Sequence, residues 1–306
     1  MNEAVQEVPY KRLLTIQDVS CLGQCSLTVA LPVVSACGVE CAVLPSAVLS
    51  THTGGFDGWT FRDLTEDMSG VEAAWRRQGV RFDAFYTGYV CASQVEPILS
   101  IMSSCANPGA LRLVDPVLGD NGRLYAGFDA SFPRLMARLC AGADYILPNL
   151  TEAAFLLGEE PVLQGYDRSH VERTVRGLHA LGAKNVVLTG VSFDEGLLGT
   201  AVSDGETVEY YFTPRLVRTS RDGGRPPFRG DVFHGTGDLF ASAFAGAVVR
   251  GLRALDAAAL AADVVCAAIE ATPPGHWYGV AFERAIPFLV DRLRLLQTSS
   301  RTVLAP

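Results

Sequence analysis

The chain has 306 residues, of which 49% are hydrophobic and 19% are charged. This composition predicts one large globular domain over residues 1–306, with residues 1–11 and 297–306 as flexible tails. The formal net charge of −8 argues against a nucleic-acid-binding surface, because neutralising phosphates requires clustered Lys and Arg.

Cysteine usage and hydropathy indicate a cytoplasmic protein without a membrane span. The eight cysteines include no CxxC pair, and the first residues lack a charged-then-apolar signal segment. We therefore expect most cysteines to be buried as small apolar side chains in a reducing compartment. The most apolar stretch, residues 27–49, contains Pro32, Glu40 and Pro45. It is typical of a core helix followed by a core strand rather than of a membrane span.

Short apolar runs alternate with helical patterns through the first two thirds of the chain. Each run is typical of a buried strand, and the segments between runs show the spacing of amphipathic helices. Such alternation predicts a mostly parallel sheet with helices on both faces. The predicted strands are residues 13–17, 40–45, 84–87, 111–115, 145–147 and 185–189, and the predicted helices are residues 65–78, 93–104, 131–140 and 169–181.

The pattern changes after residue 190. Residues 197–202 and 207–212 flank a Ser-Asp-Gly-Glu turn, which predicts a β-hairpin. Residues 215–229 are rich in Gly, Arg and Pro, a composition that cannot easily join a sheet, and the length of this segment favours a functional lid. Residues 237–250 and 255–271 are predicted to be helices.

Polar residues follow most of the predicted strands. In open parallel sheets, ligands bind beyond the carboxyl ends of the strands, so these residues are expected to converge at one edge. They are Asp18, the segment 51–53, Tyr89, Asp115, Asn149, Glu152 and Thr189.

The strongest local signal is the Gly-Thr-Gly-Asp segment at residues 235–238, followed at once by an apolar helix. Two glycines allow a tight turn that aims backbone N–H groups outward at a helix N-terminus, where anions bind. Asp238 in the first turn could accept a proton from a hydroxyl nucleophile during phosphoryl transfer. The alternative is that Thr236 or Asp238 only caps the helix.

Two further segments carry carboxylates at strand ends. Asp115 and Asp120 flank Gly119 after the fourth predicted strand, where they could hold Mg²⁺ directly or through water, or could form an Asx turn. Asn149 and Glu152 open a helix after the fifth strand. Glu152 is either a second metal-side acid or an acid that complements the helix dipole.

The chain lacks the sequence motifs of several other enzyme classes, which narrows the range of reactions it could catalyse. The chain has only two lysines, Lys11 and Lys184, and no GxxxxGK[ST], which excludes a P-loop. Phe240 stands where GxGxxG needs its third glycine, so a dinucleotide-dependent dehydrogenase is disfavoured. Neither lysine has a motif that supports a pyridoxal-phosphate Schiff base.

Together these segments resemble a known family. GTGD with an upstream NxxE is the pattern of the ribokinase-like superfamily, and the segments at residues 15–20, 50–56, 87–90 and 115–120 are similar to the pyridoxal kinase branch. The resemblance runs from about residue 13 to about residue 271. It implies a three-layer α/β/α sandwich with a hairpin and lid before the GTGD helix. It also implies a homodimer that uses ATP and Mg²⁺, with a monovalent cation such as K⁺ as a possible addition, to phosphorylate the 5′-hydroxymethyl group of a vitamin B6 compound.

The resemblance assigns a role to each candidate residue. Asp238 is implied as the catalytic base, with Gly235, Thr236 and Gly237 as the backbone anion hole. The segment 221–233 is implied to cover the ATP phosphates. Asp115 and Glu152 are implied on the metal side. The implied substrate pocket consists of Asp18, His52, Thr53 and Tyr89, and the implied ATP-side residues are Asp120, Tyr125, Asn149, Thr189 and Phe233.

Two positions depart from the family pattern. Many pyridoxal kinases carry Ser where this chain has Asp18, a change that bears on the preference among pyridoxal, pyridoxamine and pyridoxine. Many also carry Thr where this chain has Leu147, which bears on the monovalent-cation site.

Two alternatives remain. A hydroxymethylpyrimidine (phosphate) kinase of thiamine biosynthesis shares the GTGD end, although its first loop is typically glycine-rich, unlike residues 22–25 here. A non-catalytic ligand-binding relative would be expected to lose the base or the metal-side acids, yet all of them are present.

Overall fold

The computed structural model describes residues 10–217 and 233–302, with side chains described to residue 296. The chain forms a three-layer α/β/α sandwich around a nine-stranded sheet. The strands are β1 Arg12–Ser20, β2 Glu40–Leu49, β3 Phe61–Asp63, β4 Phe82–Thr87, β5 Ala106–Val114, β6 Gly119–Asp120, β7 Arg123–Leu124, β8 Tyr145–Ile146, β9 Asn185–Val191, β10 Leu197–Ser203 and β11 Val208–Pro214. The helices are α1 Leu27–Ala36, α2 Thr65–Arg77, α3 Val95–Ser104, α4 Phe132–Cys140, α5 Leu150–Leu157, α6 Arg168–Ala180, α7 Thr236–Val249, α8 Ala254–Ala271 and α9 Ile286–Thr302.

The strand order in the main sheet is β11-β10-β9-β8-β5-β4-β1-β2-β3. The six central strands from β9 to β2 pair in parallel, whereas β3 at one edge and the β10–β11 hairpin at the other pair antiparallel. The mostly parallel sheet and the hairpin predicted from the sequence are therefore confirmed.

Each face of the sheet carries its own apolar core. Alternate residues of β1 show this directly, since Leu13 packs on one face and Leu14 on the other. The first core gathers α1, α7, α8 and α9, and the second gathers α2 to α6. Because apolar side chains cover the strands on both sides, the central strands appear in the sequence as continuous apolar runs.

Three short strands were not predicted. β3 is a three-residue edge strand whose residues are all exposed, and β6 pairs with β7 in a separate two-stranded ribbon around Asn121. Each is too short to show a hydrophobic period. The predicted lid lies mainly in residues 218–232, which are outside the described residues. Parts of the two predicted tails, residues 1–9 and 303–306, are also outside them. α9 continues to Thr302. No helix in the described ranges is long and apolar enough to cross a membrane.

Candidate active site at the carboxyl edge of the sheet

The parallel strands bring the predicted polar residues to one edge of the sheet. Asp18 lies near the end of β1, and Tyr89 and Asp115 follow β4 and β5. Asn149 follows β8 and forms an isolated parallel bridge with Thr189 of β9. The convergence expected from the strand order is therefore confirmed.

The N-terminus of α7 is open toward this edge. Gly235 has a left-handed φ of +76°, and the backbone carbonyl of Gln24 occupies the space that a side chain at residue 235 would need. Among the described residues, no atom outside its own helix and chain neighbours lies within 4 Å of a Cβ position at Gly237. The Thr236 hydroxyl donates to the Phe233 carbonyl at 3.2 Å. The first N–H groups of a helix lack intrahelical partners, so this turn offers an anion site.

Asp238 is half-buried in the first turn of α7. Burial, and secondly the charge of Asp18, raise its pKa to about 7, while a hydrogen bond from the Ser26 backbone N–H opposes the rise. A carboxyl group with a pKa near neutrality can both accept and release a proton under physiological conditions. The position and the electrostatics both fit a general base.

Asp18 is 4% exposed, and the Ser20 hydroxyl donates to its Oδ2 at 2.9 Å. Burial raises the pKa of Asp18, against hydrogen bonds from the Ser26 and Ser20 side chains. Ser26 thus binds both acids, with its hydroxyl on Asp18 and its backbone N–H on Asp238. It does so from a left-handed conformation with φ of +51°, which is rare for a residue other than glycine and is typical of functional sites.

The second pair of acids is Asp115 and Glu152, which are 8% and 4% exposed. Glu152 accepts backbone N–H groups from Asn149 at 2.8 Å and Leu118 at 3.1 Å, while its own N–H donates to the Asn149 side chain at 2.9 Å. Glu152 therefore forms a capping box with Asn149 at the N-terminus of α5, so it has a structural role there. Within the described ranges, no hydrogen bond reaches the Asp115 carboxyl group.

These two acids fit a magnesium site. Burial, followed by the charges of Glu152 and Asp238, raises the pKa of Asp115 well above its usual value. Burial likewise raises the pKa of Glu152 against its backbone hydrogen bonds. Two buried carboxyl groups that repel each other, one of them without a donor, are stabilised by a hard cation with oxygen ligands.

Asp120 and Tyr125 border the metal-side acids. Asp120 is exposed, and it accepts from the Asn121 backbone N–H at 2.8 Å and from the Asn121 side-chain amide at 3.0 Å. An Asx turn at Asp120 would use the Gly122 N–H, which donates to the Thr151 hydroxyl instead, so that alternative is wrong here. Burial raises the pKa of the Tyr125 hydroxyl, followed by the charges of Glu152, Asp120, Asp238 and Asp115.

A cleft of about 780 Å³ opens beside these acids. Asp120 and Asn149 line it, together with Gly190, the neighbour of Thr189, and Arg215. The Asn149 amide also donates to the Gly119 carbonyl at 2.9 Å. A cleft of this size suits a nucleotide. Phe233 packs instead against the core on the α7 side of the sheet.

His52 uses both ring nitrogens within the protein. Its Nδ1 accepts the Gly54 N–H at 2.9 Å, so its Nε2 carries the proton and donates to the Tyr278 carbonyl at 3.0 Å. Burial, followed by the charge of His234, lowers its pKa and keeps the ring neutral. Any contact of His52 with a substrate is therefore through the face or edge of its ring. Thr53, the next residue, is exposed.

Tyr89 is the first ring of an aromatic stack. Its ring lies 5.4 Å from that of Phe128, which in turn lies 4.1 Å from that of Phe132. These three rings, with Trp59 and Phe61, line a cavity of about 310 Å³. The stack supports one face of the Tyr89 ring. Burial, followed by the charges of Cys91 and Asp18, raises the pKa of Tyr89.

Several residues of the site escaped the sequence analysis. Gln24 contacts Gly235, its side-chain NH2 donates to Glu283 at 2.8 Å, and its Oε1 accepts from His276 Nε2 at 2.7 Å. Ser26 holds the two acids as described above. These residues come from loops distant in sequence, and none belongs to a local motif. Only the positive φ of Ser26 would mark one of them, and backbone angles cannot be read from sequence.

Two other predictions need comment. Only Cys37, Cys105 and Cys140 are buried, four cysteines are half-buried, and Cys21 is exposed. The expectation that most are buried is therefore wrong, because several lie in loops and at the outer sides of elements. Leu147 is 4% exposed within a core cluster and offers no oxygen ligand for a monovalent cation.

Comparisons with known proteins agree with the fold. The phosphomethylpyrimidine kinase family model matches residues 31–281. A pyridoxal kinase of Dictyostelium discoideum is 28% identical over 257 residues, which cover 78% of each chain. A Bacteroides thetaiotaomicron protein described as a phosphomethylpyrimidine kinase, solved with pyridoxal, has a TM-score of 0.82 and 31% identity and covers 92% of this chain and 96% of its own.

A pyridoxal kinase structure from Lactobacillus plantarum has a TM-score of 0.80 and 32% identity, covering 92% of this chain and 97% of its own. The two structural similarities each cover 92% of this chain, and they confirm the resemblance inferred from GTGD and NxxE. The chain belongs to the phosphomethylpyrimidine kinase family within the ribokinase-like superfamily.

Proposed function

We propose that the protein is an ATP-dependent kinase that phosphorylates the 5′-hydroxymethyl group of a vitamin B6 compound. The observation that carries the proposal is the position of Asp238, a carboxyl group with a pKa of about 7 at the open N-terminus of α7. Such a group can deprotonate an alcohol next to a site that binds phosphate. Similarity to pyridoxal kinases and to a structure solved with pyridoxal supports the choice of substrate.

The residues suggest an in-line transfer. Asp238 takes the proton of the substrate's hydroxymethyl group. The hydroxymethyl oxygen attacks the γ-phosphorus of ATP while the bond from that phosphorus to ADP breaks, and ADP leaves on the opposite side. The backbone N–H groups of residues 235–237 stabilise the charge on the transferring phosphoryl oxygens. Mg²⁺, held by Asp115 and by Glu152 directly or through water, would neutralise phosphate charge. The roles of Asp120, Tyr125, Asn149, Thr189 and Phe233 in binding ATP belong to the same proposal.

A hydroxymethylpyrimidine (phosphate) kinase is the second candidate, because the matching family model carries that description. Both reactions phosphorylate a hydroxymethyl group on a nitrogen heterocycle, and both would use Asp238 and the α7 N-terminus. They differ in the ring that must fit beside Asp18 and Tyr89.

The decisive experiment measures ATP consumption by the purified protein with Mg²⁺. Pyridoxal, pyridoxamine, pyridoxine and hydroxymethylpyrimidine are supplied separately. Turnover of a B6 vitamer well above that of the pyrimidine is expected. Turnover of the pyrimidine alone would move the assignment to the second candidate, and no turnover with any of them would revive the non-catalytic alternative.

Three further features of the proposal come from the resemblance and are open to simple measurement. Light scattering would test for the homodimer, and cell fractionation would test for the cytoplasmic location. Assays in K⁺, Na⁺ and a large organic cation would test for a monovalent-cation requirement. Because Leu147 replaces an oxygen-bearing side chain, we expect at most a weak dependence on K⁺.

A further inference from the structure

Tyr89 lies on a short loop that leaves β4 and turns across β1 toward β2. The Gly88 N–H still bonds β1, because it donates to the Ile16 carbonyl at 3.1 Å. One residue later, the Tyr89 carbonyl accepts from the hydroxyl of Ser46 in β2 at 2.9 Å. In the sheet, β1 lies between β4 and β2. The hydrogen bond from Ser46 therefore fixes the Tyr89 backbone across β1, at the carboxyl edge where the site lies.

The pairing of β1 with β2 is irregular at Ser46. β2 pairs regularly with β1 up to Pro45 and again from Val48. Over this stretch the single residue Asp18 of β1 faces both Ser46 and Ala47. An extra residue of this kind bends a strand and redirects its side chains, and it is common next to active sites. The irregularity thus places the fully buried Ser46 hydroxyl where it can reach the Tyr89 loop.

Gln94 holds the other end of the same loop. Its side chain is fully buried and accepts the Cys91 N–H at 2.8 Å. Its NH2 group donates to the Ser46 carbonyl at 2.7 Å and to Oδ1 of Asp63 in β3 at 3.3 Å. The loop is therefore held at Tyr89 by Ser46 and at Cys91 by Gln94, and these two residues are bonded to each other. A buried polar network whose members have partners makes a structure rigid.

The ring of Tyr89 is held as well as its backbone. The Phe128 ring stacks on it, with 5.4 Å between the ring centroids and 25° between the planes. A ligand that contacts Tyr89 must therefore fit a side chain that is already in place. Such preorganisation lowers the entropy lost on binding. A fixed aromatic side chain suits a flat heterocycle, because pairs of rings favour defined stacked or edge-to-face arrangements.

We propose that Ser46 and Gln94 are positioning residues that hold Tyr89 as a rigid contact for the ring of the acceptor. The inference rests on the proposed function and deepens it, because Tyr89 is the residue proposed to lie beside that ring. It holds equally for a pyridine and a pyrimidine. Since both residues act through Tyr89, their loss should weaken acceptor binding and leave ATP binding and the chemical step nearly unchanged.

The test measures kcat and KM for ATP and for each of two acceptors, pyridoxal and hydroxymethylpyrimidine. Ser46→Ala removes the hydroxyl that bonds the Tyr89 carbonyl, and Gln94→Met removes the amide while keeping the length of the side chain. Tyr89→Leu, alone and combined with Ser46→Ala, shows whether Ser46 acts through Tyr89. Ser203→Ala is the matched control, because it removes an equally buried hydroxyl that bonds His179 at 3.0 Å, near the opposite edge of the sheet.

In Ser46→Ala, the KM for the acceptor should rise about three- to tenfold, as expected for the loss of one hydrogen bond. The KM for ATP and kcat should change less than about twofold. Gln94→Met should change the same constants in the same direction. Ser203→Ala should lose a similar amount of stability in urea titrations and keep its acceptor KM. In the Tyr89→Leu background, Ser46→Ala should add less than about twofold to the acceptor KM.

Three results would overturn the inference. The first is an unchanged acceptor KM in Ser46→Ala or Gln94→Met. The second is an equal rise in Ser46→Ala and Ser203→Ala, which would make the effect a general consequence of lost stability. The third is an effect of Ser46→Ala that persists in full without the Tyr89 ring. If the unsubstituted protein turns over neither acceptor, the proposed function is refuted, and the inference with it.

Discussion

The backbone carbonyl oxygen of Gln24 fills the space that a side chain of Gly235 would need. Gly235 also has a φ of +76°, a conformation that side chains with a Cβ rarely adopt. Two independent constraints therefore require glycine at this position. The contact also fixes the first turn of α7 against the loop that precedes α1, and so fixes the direction of the N–H groups proposed to bind phosphate.

Gly235→Ala should therefore lower both stability and activity. A left-handed alanine costs about 1 kcal/mol or more, and displacing the Gln24 carbonyl adds to this, so we expect a loss of about 2–3 kcal/mol in the free energy of unfolding. Gly251→Ala is the matched control, since Gly251 has a φ of +94° without a neighbour within 4 Å of its Cβ position. Equal losses in denaturant titrations of the two variants would show that the Gln24 contact contributes nothing.

Gly237→Val should separate activity from stability. The described residues leave the space around Gly237 open, so we expect the folded state to accept the side chain and the free energy of unfolding to change by less than about 1 kcal/mol. The valine methyl groups would project into the proposed phosphate site. We expect kcat to fall by about a hundredfold or more, as when an oxyanion donor is lost. A variant with unchanged kcat would contradict the anion hole at this turn.

Asp238→Asn should abolish most turnover and leave nucleotide binding nearly intact. Loss of a general base typically costs about a hundred- to ten-thousandfold in rate. Asp256→Asn, which alters an acid in the first turn of the next helix, α8, is the matched control. Single-turnover rates measure the chemical step and calorimetry measures the nucleotide Kd. A variant that keeps most of its kcat would require another base.

The raised pKa of Asp238 also predicts how pH acts on activity and stability. Only the ionised carboxylate accepts a proton, so kcat/KM should rise with pH around a midpoint near 7. The folded-state pKa lies above the usual value for Asp, so the neutral form is favoured by folding. Its contribution to stability is therefore complete below pH 4 and is lost as pH rises through 7.

Asp238→Asn removes the loss of stability that ionisation of Asp238 causes as pH rises. The variant should match the unsubstituted protein near pH 4 and exceed its stability at pH 8 by on the order of 2 kcal/mol. Urea titrations at the two pH values measure the difference. A stability difference that does not change with pH would show that the Asp238 pKa is normal in the folded protein.

The two metal-side acids should respond oppositely to neutralisation. Asp115→Asn removes a buried charge that has no hydrogen-bond donor in the described residues, so the melting temperature without Mg²⁺ should rise by a few degrees. Glu152→Gln replaces one of the two oxygens that accept the Asn149 and Leu118 N–H groups with an NH2 group. One buried N–H then loses its acceptor, so the melting temperature should fall. Both variants should need about tenfold more Mg²⁺ for half-maximal activity. If the Mg²⁺ requirement of both variants is unchanged, Asp115 and Glu152 do not bind the metal.

Much of the architecture was predictable because the sheet is covered on both faces. Strands such as residues 185–191 are continuous apolar runs, and the helices between them carry clear amphipathic spacing. Asp115 and Glu152 were predicted at this edge for a similar reason, since parallel strands end at one edge, whereas Asp238 was predicted from the Gly-Thr-Gly-Asp segment. Short elements such as β3 and the β6–β7 ribbon were missed, because two or three residues show no period.

The hydrogen bonds between loops that are distant in sequence could not be predicted. Nothing near Ser26 indicates that it would bind both Asp18 and Asp238, since that depends on a left-handed backbone angle. His52 was predicted from the resemblance as a pocket residue, and its bond to the Tyr278 carbonyl joins positions 226 residues apart. Contacts of this kind depend on the packed fold and leave no local pattern in the chain.

The loop between α8 and α9 has a consequence for biosynthesis. The proposed catalytic segment at residues 235–238 packs against Gln24. Gln24 in turn forms hydrogen bonds with the Tyr278 backbone, His276 and Glu283. On the ribosome, a nascent chain that has exposed every acid of the site still lacks these contacts. The proposed phosphate site is therefore complete only after the loop between α8 and α9 has been synthesised. We expect an incomplete chain that ends before residue 276 to bind neither substrate in a productive geometry.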